Sequence, residues 1–290
     1  MYEELEQVRK KAINKTIICI FTFILIGLLL YPFLSFTAIG LFIPGIIISV
    51  FITRKEKVDF NKLYKQIVVV ESIKQICSKV TYDSENGIKM ETIKNANLMF
   101  NGDIFNSFDY ITGIYNNIQF EMSDILIQNE STDSDGTTYN TIFNGTWFIF
   151  NLNKGFKSNV HIYRKGFNNV LRFVLYSNKE RKVTKIDVQN KDFNKTFKVY
   201  ALNEIDANNI LTINTINNIK ELSSKINGKL YLNFEGKSLH IAINNSKDLF
   251  NTSIYKKINI PDSIEKTKQD LIAITDFVDK VNLDNNLFNN

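Results

Sequence analysis

Cysteine, proline, histidine and tryptophan are all scarce in this chain of 290 residues, which holds 2, 3, 2 and 1 of them. The two cysteines, Cys19 in an apolar run and Cys77 in an expected helix, cannot build a disulfide framework or a zinc site, and they suit a reducing compartment. The two histidines, His161 and His240, fall in separate strand-like segments. Neither has a Cys or carboxylate nearby at metal-ligand spacing, so both are expected to be ordinary surface or boundary residues. A Gly-rich phosphate loop, a Gly-x-Ser-x-Gly elbow and a paired-Cys motif are absent too. The sequence therefore assigns no catalytic residue, no cofactor site and no metal ligand. A charge excess on the larger part of the chain is also missing. The net charge is +5, but Arg9, Lys10, Lys11, Lys15, Arg54, Lys55 and Lys57 against Glu3, Glu4, Glu6 and Glu56 leave only +2 for everything after residue 57. That distribution excludes a nucleic-acid footprint and reads as membrane topology. With 44% hydrophobic and 22% charged residues, there is enough apolar material for a folded core.

The most informative absence is local: Thr16 to Thr53 contains no charged residue. One helix of that length would be about 57 Å long at the α-helical rise, against a hydrocarbon core of about 30 Å. Two spans fit better, broken at Tyr31-Pro32-Phe33-Leu34-Ser35-Phe36, where Pro32 disfavours helix at Tyr31. The expected spans are residues 13–31 and 37–53, with Lys15 and Arg54 snorkelling and Pro44-Gly45 kinking the second. Basic residues flank both outer ends and the connecting turn has none, so both termini and the soluble region are expected in the cytoplasm, beneath a multi-pass anchor in the cell membrane. The competing reading is a cleaved signal peptide; against it, the apolar part runs on too far and no small-x-small site follows Pro32. Tyr2 to Lys15 reads as a charged helix with Leu5, Val8 and Ala12 on one side, either a plain extension of the first span or a surface helix on anionic lipid.

Past the anchor, residues 58–284 read as one soluble domain, expected to fold by itself, and 285–290 as a frayed tail. Asp59 to Lys79 has helical periodicity through Leu63, Ile67, Val70 and Ile73, with Asp59 as N-cap. Tyr82 to Gly87 is a turn cluster. From Leu98 to Lys165 the pattern is strand-like. Ile118, Phe120 and Met122 alternate with polar residues, and Asn116-Asn117 makes a tight hairpin turn. Trp147-Phe148-Ile149-Phe150 is apolar on both faces, which requires a central strand covered on both sides. Val160 to Tyr163, Asn169 to Tyr176, Lys185 to Val188 and Thr196 to Tyr200 continue the series. Asn208 to Ile226 reads as one helix ended by Asn227-Gly228. A hairpin at Glu235-Gly236-Lys237 follows, then a last helix opened by Pro261 and capped by Asp262. The sum is an α+β fold: a transmembrane hairpin at residues 1–57, then a largely antiparallel sheet with flanking helices.

Three polar stretches could carry chemistry. Asp133-Ser134-Asp135-Gly136 lacks the frame of a calcium loop and reads as a hairpin tip. Asn144-Gly145-Thr146 matches a glycosylation sequon, without meaning for a domain expected in the cytoplasm. Lys179 to Lys185 is a short basic cluster, read as a solvated turn or a contact for lipid headgroups or an acidic partner.

Three blocks together with the anchor carry a resemblance. They are Phe105 to Tyr115 with Ile118 to Asp124; Ile142-Phe143-Asn144-Gly145-Thr146-Trp147 with Phe156; and Asp192-Phe193 through Phe197-Lys198-Val199-Tyr200 with Ala207 and Ile210-Leu211-Thr212. In order and spacing the chain resembles the bacterial domain-of-unknown-function family 3137 along nearly its whole length. The resemblance implies a membrane-anchored bacterial protein and brings no activity, cofactor or site residue. The functional expectation is an interaction or scaffold module facing the cytoplasm. It touches the bilayer through residues 13–53 and a protein partner through its soluble part. The alternatives are a tethered enzyme whose site assembles only in the fold, and a lipid-headgroup sensor.

Overall fold

The computed structural model describes residues 2–34, 42–99, 102–134, 136–166, 183–245 and 252–289. The chain divides into two compact units, Met1–Glu71 with Phe250–Ile264, and Ser72–Leu249 with Glu265–Asn290.

In the first unit, helix α1 runs without interruption from Tyr2 to Leu34, with Pro32 in its last turn. The stop expected at Tyr31 is thus displaced by three residues, because a proline so near the end deletes a single backbone bond. Helix α2 spans Phe42–Ile52 and α3 spans Arg54–Tyr64. Only Thr53 separates them, and its N–H and Oγ1 both donate to Ser49 O at 3.1 and 2.7 Å. Asp59 is therefore interior to α3 and caps nothing, contrary to the sequence reading. A π-helical turn at Lys65–Val69 leads into α4, Val70–Lys74. Its extra residue turns Ile67, Val68 and Val69 all inward.

Helices α1 and α2 pack closely. A Cβ on Gly45 would stand 2.8 Å from Phe23, so glycine is needed there, and Cys19 Sγ lies 3.6 Å from Gly45 O. Among the described residues α1 is the one helix long and apolar enough to cross a membrane, and 11% of its most apolar window is buried. The described part of α2 has 11 residues, about half what a bilayer needs. Residues 35–41, where the second expected span begins, lie outside the described residues.

The first half of α1 behaves differently. Leu5 and Ala12, with Val8 beside them, pack into a core with Phe60, Tyr64, Ile67, Val68 and Ile254. This is the stripe visible in the sequence, and it meets protein, not lipid.

Among the described residues, the second unit is built on a nine-stranded antiparallel sheet in the order β1-β2-β3-β4-β9-β8-β5-β7-β6. Its strands are β1 Ser78–Asp83, β2 Ile104–Tyr115, β3 Ile118–Asp133, β4 Gly136–Asn151, β5 Val160–Arg164, β6 Thr184–Ile186, β7 Phe197–Ala201, β8 Lys229–Glu235 and β9 Ser238–Asn244. The β2–β3 hairpin turns on Asn116 and Asn117, both left-handed at φ 46 and 64°, the geometry of a type I′ turn. Strand β4 lies between β3 and β9, and Trp147, Phe148, Ile149 and Phe150 are all buried, as their double-faced pattern requires.

One sheet face is mostly apolar. Phe120 and Met122 on β3 and Phe148 and Phe150 on β4 meet Ile73, Cys77, Leu271 and Ile274 around a gap of about 10 Å³, no more than one water. Leu271 and Ile274 belong to α9, Ile260–Leu283. That helix starts before Pro261, so Asp262 lies inside its first turn. The helix expected over 208–226 is two: α7 Glu204–Ile210 and α8 Ile213–Lys225. Thr212 separates them by capping Thr215 N at 3.1 Å. Phe193 sits on a short helix, α6 Lys191–Thr196. Part of the other face is covered by residues 88–99, including α5, Met90–Asn95, a helix that the sequence reading placed in no element.

The C-terminus does not fray as expected. Asn285–Leu287 forms a 3-10 turn, Leu287 and Phe288 are buried, and Phe288 stacks on Phe156 at 5.0 Å. An aromatic pair of this kind offsets the entropy of ordering a few residues.

Candidate functional site

Two polar features stand on the sheet face opposite the large apolar one. The first is an open groove of about 340 Å³ lined by Lys79, Tyr110, Thr112, Gln119, Glu121 and Asn151. The ladder makes it: Thr112 opposes Glu121 and Gln119 opposes Asn151, so alternate side chains of three strands share one surface. Asp109 is left-handed at φ 58°, and the register slips between Phe108 and Ile111. This bulge frees Tyr110 from the β3 ladder. Its phenol donates to Glu121 Oε2 at 2.5 Å. Burial, then the Glu121 carboxylate, pushes the phenol up to about 12. Tyr110 is thus a fixed donor and Glu121 a fixed acceptor. The groove suits hydrogen-bonding to a polar surface.

The second feature is buried. His240 on β9 opposes Asn233 on β8, which opposes His161 on β5, so one row joins three strands. Contrary to the expectation of surface or boundary positions, His161 and His240 are 4% and 6% exposed. Trp147 Nε1–H donates to His240 Nδ1 at 3.2 Å, which makes Nδ1 an acceptor and the ring neutral. Burial lowers its pKa to about 4. Asn233 Nδ2 donates to Ala96 O at 2.8 Å and to Glu235 Oε2 at 3.0 Å, and Tyr163 OH donates to Asn97 O at 3.2 Å. These bonds fasten residues 96–97 to the sheet. Burial raises the Tyr163 and Tyr231 phenols in the same layer. Among the described residues no group of three or more His, Cys, Asp and Glu could hold a metal ion.

The stretches singled out in the sequence fall elsewhere. Asp133 and Gly136 pair at the tip of the β3–β4 hairpin, as read, with Asp135 outside the described residues. Beyond Gln128, where β2 stops pairing, that hairpin continues as an exposed two-stranded arm. The sequon lies within β4. Thr146 is buried and donates to Asp124 Oδ1 at 2.7 Å, and Gly145 faces Ile243 O so closely that a Cβ would stand 2.0 Å away. The strand expected over 169–176, and 179–182 of the basic cluster, lie outside the described residues. Lys185 pairs with Asp187 at 2.8 Å.

Sequence reasoning named neither Tyr110 nor the Trp147–His240 pair as a unit. A signal existed for the groove, because a two-residue turn at Asn116-Asn117 fixes the register that sets Thr112 against Glu121. The buried row depends on the β9-β8-β5 neighbourhood, which no local pattern reveals.

No curated protein matches this sequence. Among solved structures, the crystal structure of the mycobacterial trehalose monomycolate transport factor A, TtfA, aligns at 10% identity with a TM-score of 0.40, over 76% of this chain and 94% of that one. A likeness so distant carries no functional argument. The family model described as "Protein of unknown function (DUF3137)" matches residues 141–283. That stretch contains the blocks at 142–156 and 192–212 and leaves out the one at 105–124. From β4 to the end of α9, this chain resembles the DUF3137 family of proteins of unknown function.

Proposed function

We propose that the protein is a membrane-anchored interaction module, held by a two-span hairpin of α1 and α2 with both termini on the cytoplasmic side. One observation supports this most: α1 has two halves of opposite character. Its second half exposes Ile17, Ile18, Phe21, Leu25, Leu28 and Leu29, too large an apolar surface for water. Its first half supplies Leu5 and Ala12 to a core with Phe60 and Ile67. A cleaved leader would take those residues away and strip the core, so the anchor reading is favoured over the signal-peptide one. The second span draws on α2, whose Ile43, Ile46, Ile47, Val50 and Phe51 are also exposed. The basic flanks place the ends inside.

The partner contact belongs to the second unit. A polar groove and an exposed β-arm are surfaces for docking a protein, and the near-neutral charge beyond residue 57 does not favour nucleic acid. Affinity capture of the intact protein from its own membrane tests this reading. The same protein should co-purify with the parent chain and be lost when Tyr110→Ala and Glu121→Ala are combined, or when residues 130–139 are replaced by a short turn. Recovery of the chain alone in every case would contradict it.

A further inference from the structure

Unit 1 includes a segment that lies far from the spans in sequence. Residues 252–259 follow the second expected span by some two hundred positions, yet Ile254 is buried in the same core as Leu5, Ala12 and Phe60. That burial fixes its neighbour. Tyr255 is 52% exposed, with Lys57 Nζ 5.5 Å from its ring centroid. Its hydroxyl interacts with Thr16, Lys57 and Thr53, Thr16 most strongly, and these contacts lower its pKa against the burial that raises it. Thr16 and Thr53 are the two ends of the charge-free stretch. Tyr255 is therefore held at the depth where apolar helix surface gives way to charge. Arg54 and Lys55 are exposed at the same boundary, and Lys256 is exposed beside Tyr255, its N–H closing a turn on Ser253 O at 3.0 Å. Lys11 and Lys15, by contrast, are drawn to Glu56, and Lys257 acts on Glu6 farther along α1.

We propose that Tyr255 and Lys256, with Arg54, Lys55 and Lys57, form a basic and aromatic collar that seats on the anionic phospholipid headgroups around the anchor. This rests on the anchor reading above and adds a third contact with the membrane, supplied by residues 252–258. The occupant is lipid because the collar adjoins helix surface that needs lipid: Phe51 and Ile52, 69% and 48% exposed, immediately precede it. Tyrosine is at home at the headgroup level, and lysine and arginine there are attracted to an anionic leaflet.

The test uses the full chain in nanodiscs of phosphatidylcholine, with or without phosphatidylglycerol, and amide hydrogen exchange across residues 252–259. Exchange there should be about fivefold slower with the anionic lipid, the effect of one basic residue near such a surface. Tyr255→Ser and Lys256→Glu should each shrink that difference, and Lys55→Glu, in another element, should do the same. Unchanged exchange at the amides of Phe60 and Tyr64, in the core that holds Ile254, identifies variants whose first unit remains folded. Equal exchange in both lipids would overturn the collar, as would slowing that survives all three substitutions or that appears only after soluble protein is added. Failure of the chain to enter the discs would overturn the anchor and the collar together, whereas entry with equal exchange would overturn the collar alone.

Discussion

Trp147 donates its indole N–H to Nδ1 of His240 across 3.2 Å, inside the layer between the sheet and residues 88–99. The two rings meet edge to face at 88°. The bond satisfies a buried donor with a buried acceptor, so each residue needs the other.

Trp147 is the only tryptophan, and none of its surface is exposed. Its emission should be blue-shifted and poorly quenched by acrylamide, and Trp147→Ala should cost about 3–5 kcal/mol in denaturant unfolding. Water-like, freely quenched emission would contradict the packing.

His240 gives the stability a pH dependence. Its pKa falls from 6.5 to about 4 on folding because burial disfavours the charged ring. The unfolded chain therefore binds the extra proton first as pH falls, so the stabilising contribution is whole above the unfolded pKa and is lost as pH drops from about 6.5 to about 4. Integrated over that window it is on the order of 3 kcal/mol. His240→Gln keeps an acceptor and cannot titrate. Urea midpoints measured across the window should fall in the parent and stay flatter in the variant.

Much of this was legible in the sequence where a local rule decides the outcome. Asn116-Asn117 announces a turn because two adjacent left-handed residues are what asparagine tolerates. Trp147 to Phe150 announces a central strand because no other place covers both faces. The errors fall where tertiary context wins. Six-residue α5 has too few turns for a period to show. Thr212 splits a run whose apolar spacing continues through it. Asp59 and Asp262 carry the chemistry of caps, but the helices around them had already begun. The histidines look like surface residues because Asn233, Trp147 and Ala96 come together only in space. Tyr255 is the extreme case, placed beside Lys57 by the burial of Ile254 against α1 and α3, elements far from it in sequence.

Glu56 is 5% exposed and bonded to Lys15 Nζ at 2.5 Å. The Lys15 hydrogen bond is the main reason its carboxyl titrates below the usual range. The pair ties α1 to α3, so Lys15→Ala, which leaves the buried Glu56 carboxylate without its close partner, should lower the thermal midpoint in detergent by several degrees, and Lys15→Ala with Glu56→Ala should recover part of it, since a lone buried charge is what costs most. The contribution should also fade as pH drops through the lowered pKa of Glu56. A double variant worse than the sum of the singles would contradict the pairing.

A chain starting at Val58 keeps the second unit whole and cuts into the first. It keeps the sheet, so Trp147 should retain native emission. It also loses Leu5, Val8 and Ala12 from the core around Phe60, Tyr64 and Ile67. That chain should bind a hydrophobic dye and self-associate, and adding back residues 2–15 as a peptide should reduce both. A monomeric, dye-free product would show that the first half of α1 is dispensable to the core.

The central claim is the two-span anchor, and accessibility in intact cells tests it directly. In a chain with Cys19 and Cys77 replaced by Ser, single cysteines at Ser35, Asn153 and Asn289 are offered a membrane-impermeant maleimide from outside. The account predicts labelling at Ser35→Cys alone, with Asn153→Cys and Asn289→Cys reacting only after lysis. Labelling of Asn153→Cys or Asn289→Cys in intact cells would place the sheet outside and contradict it.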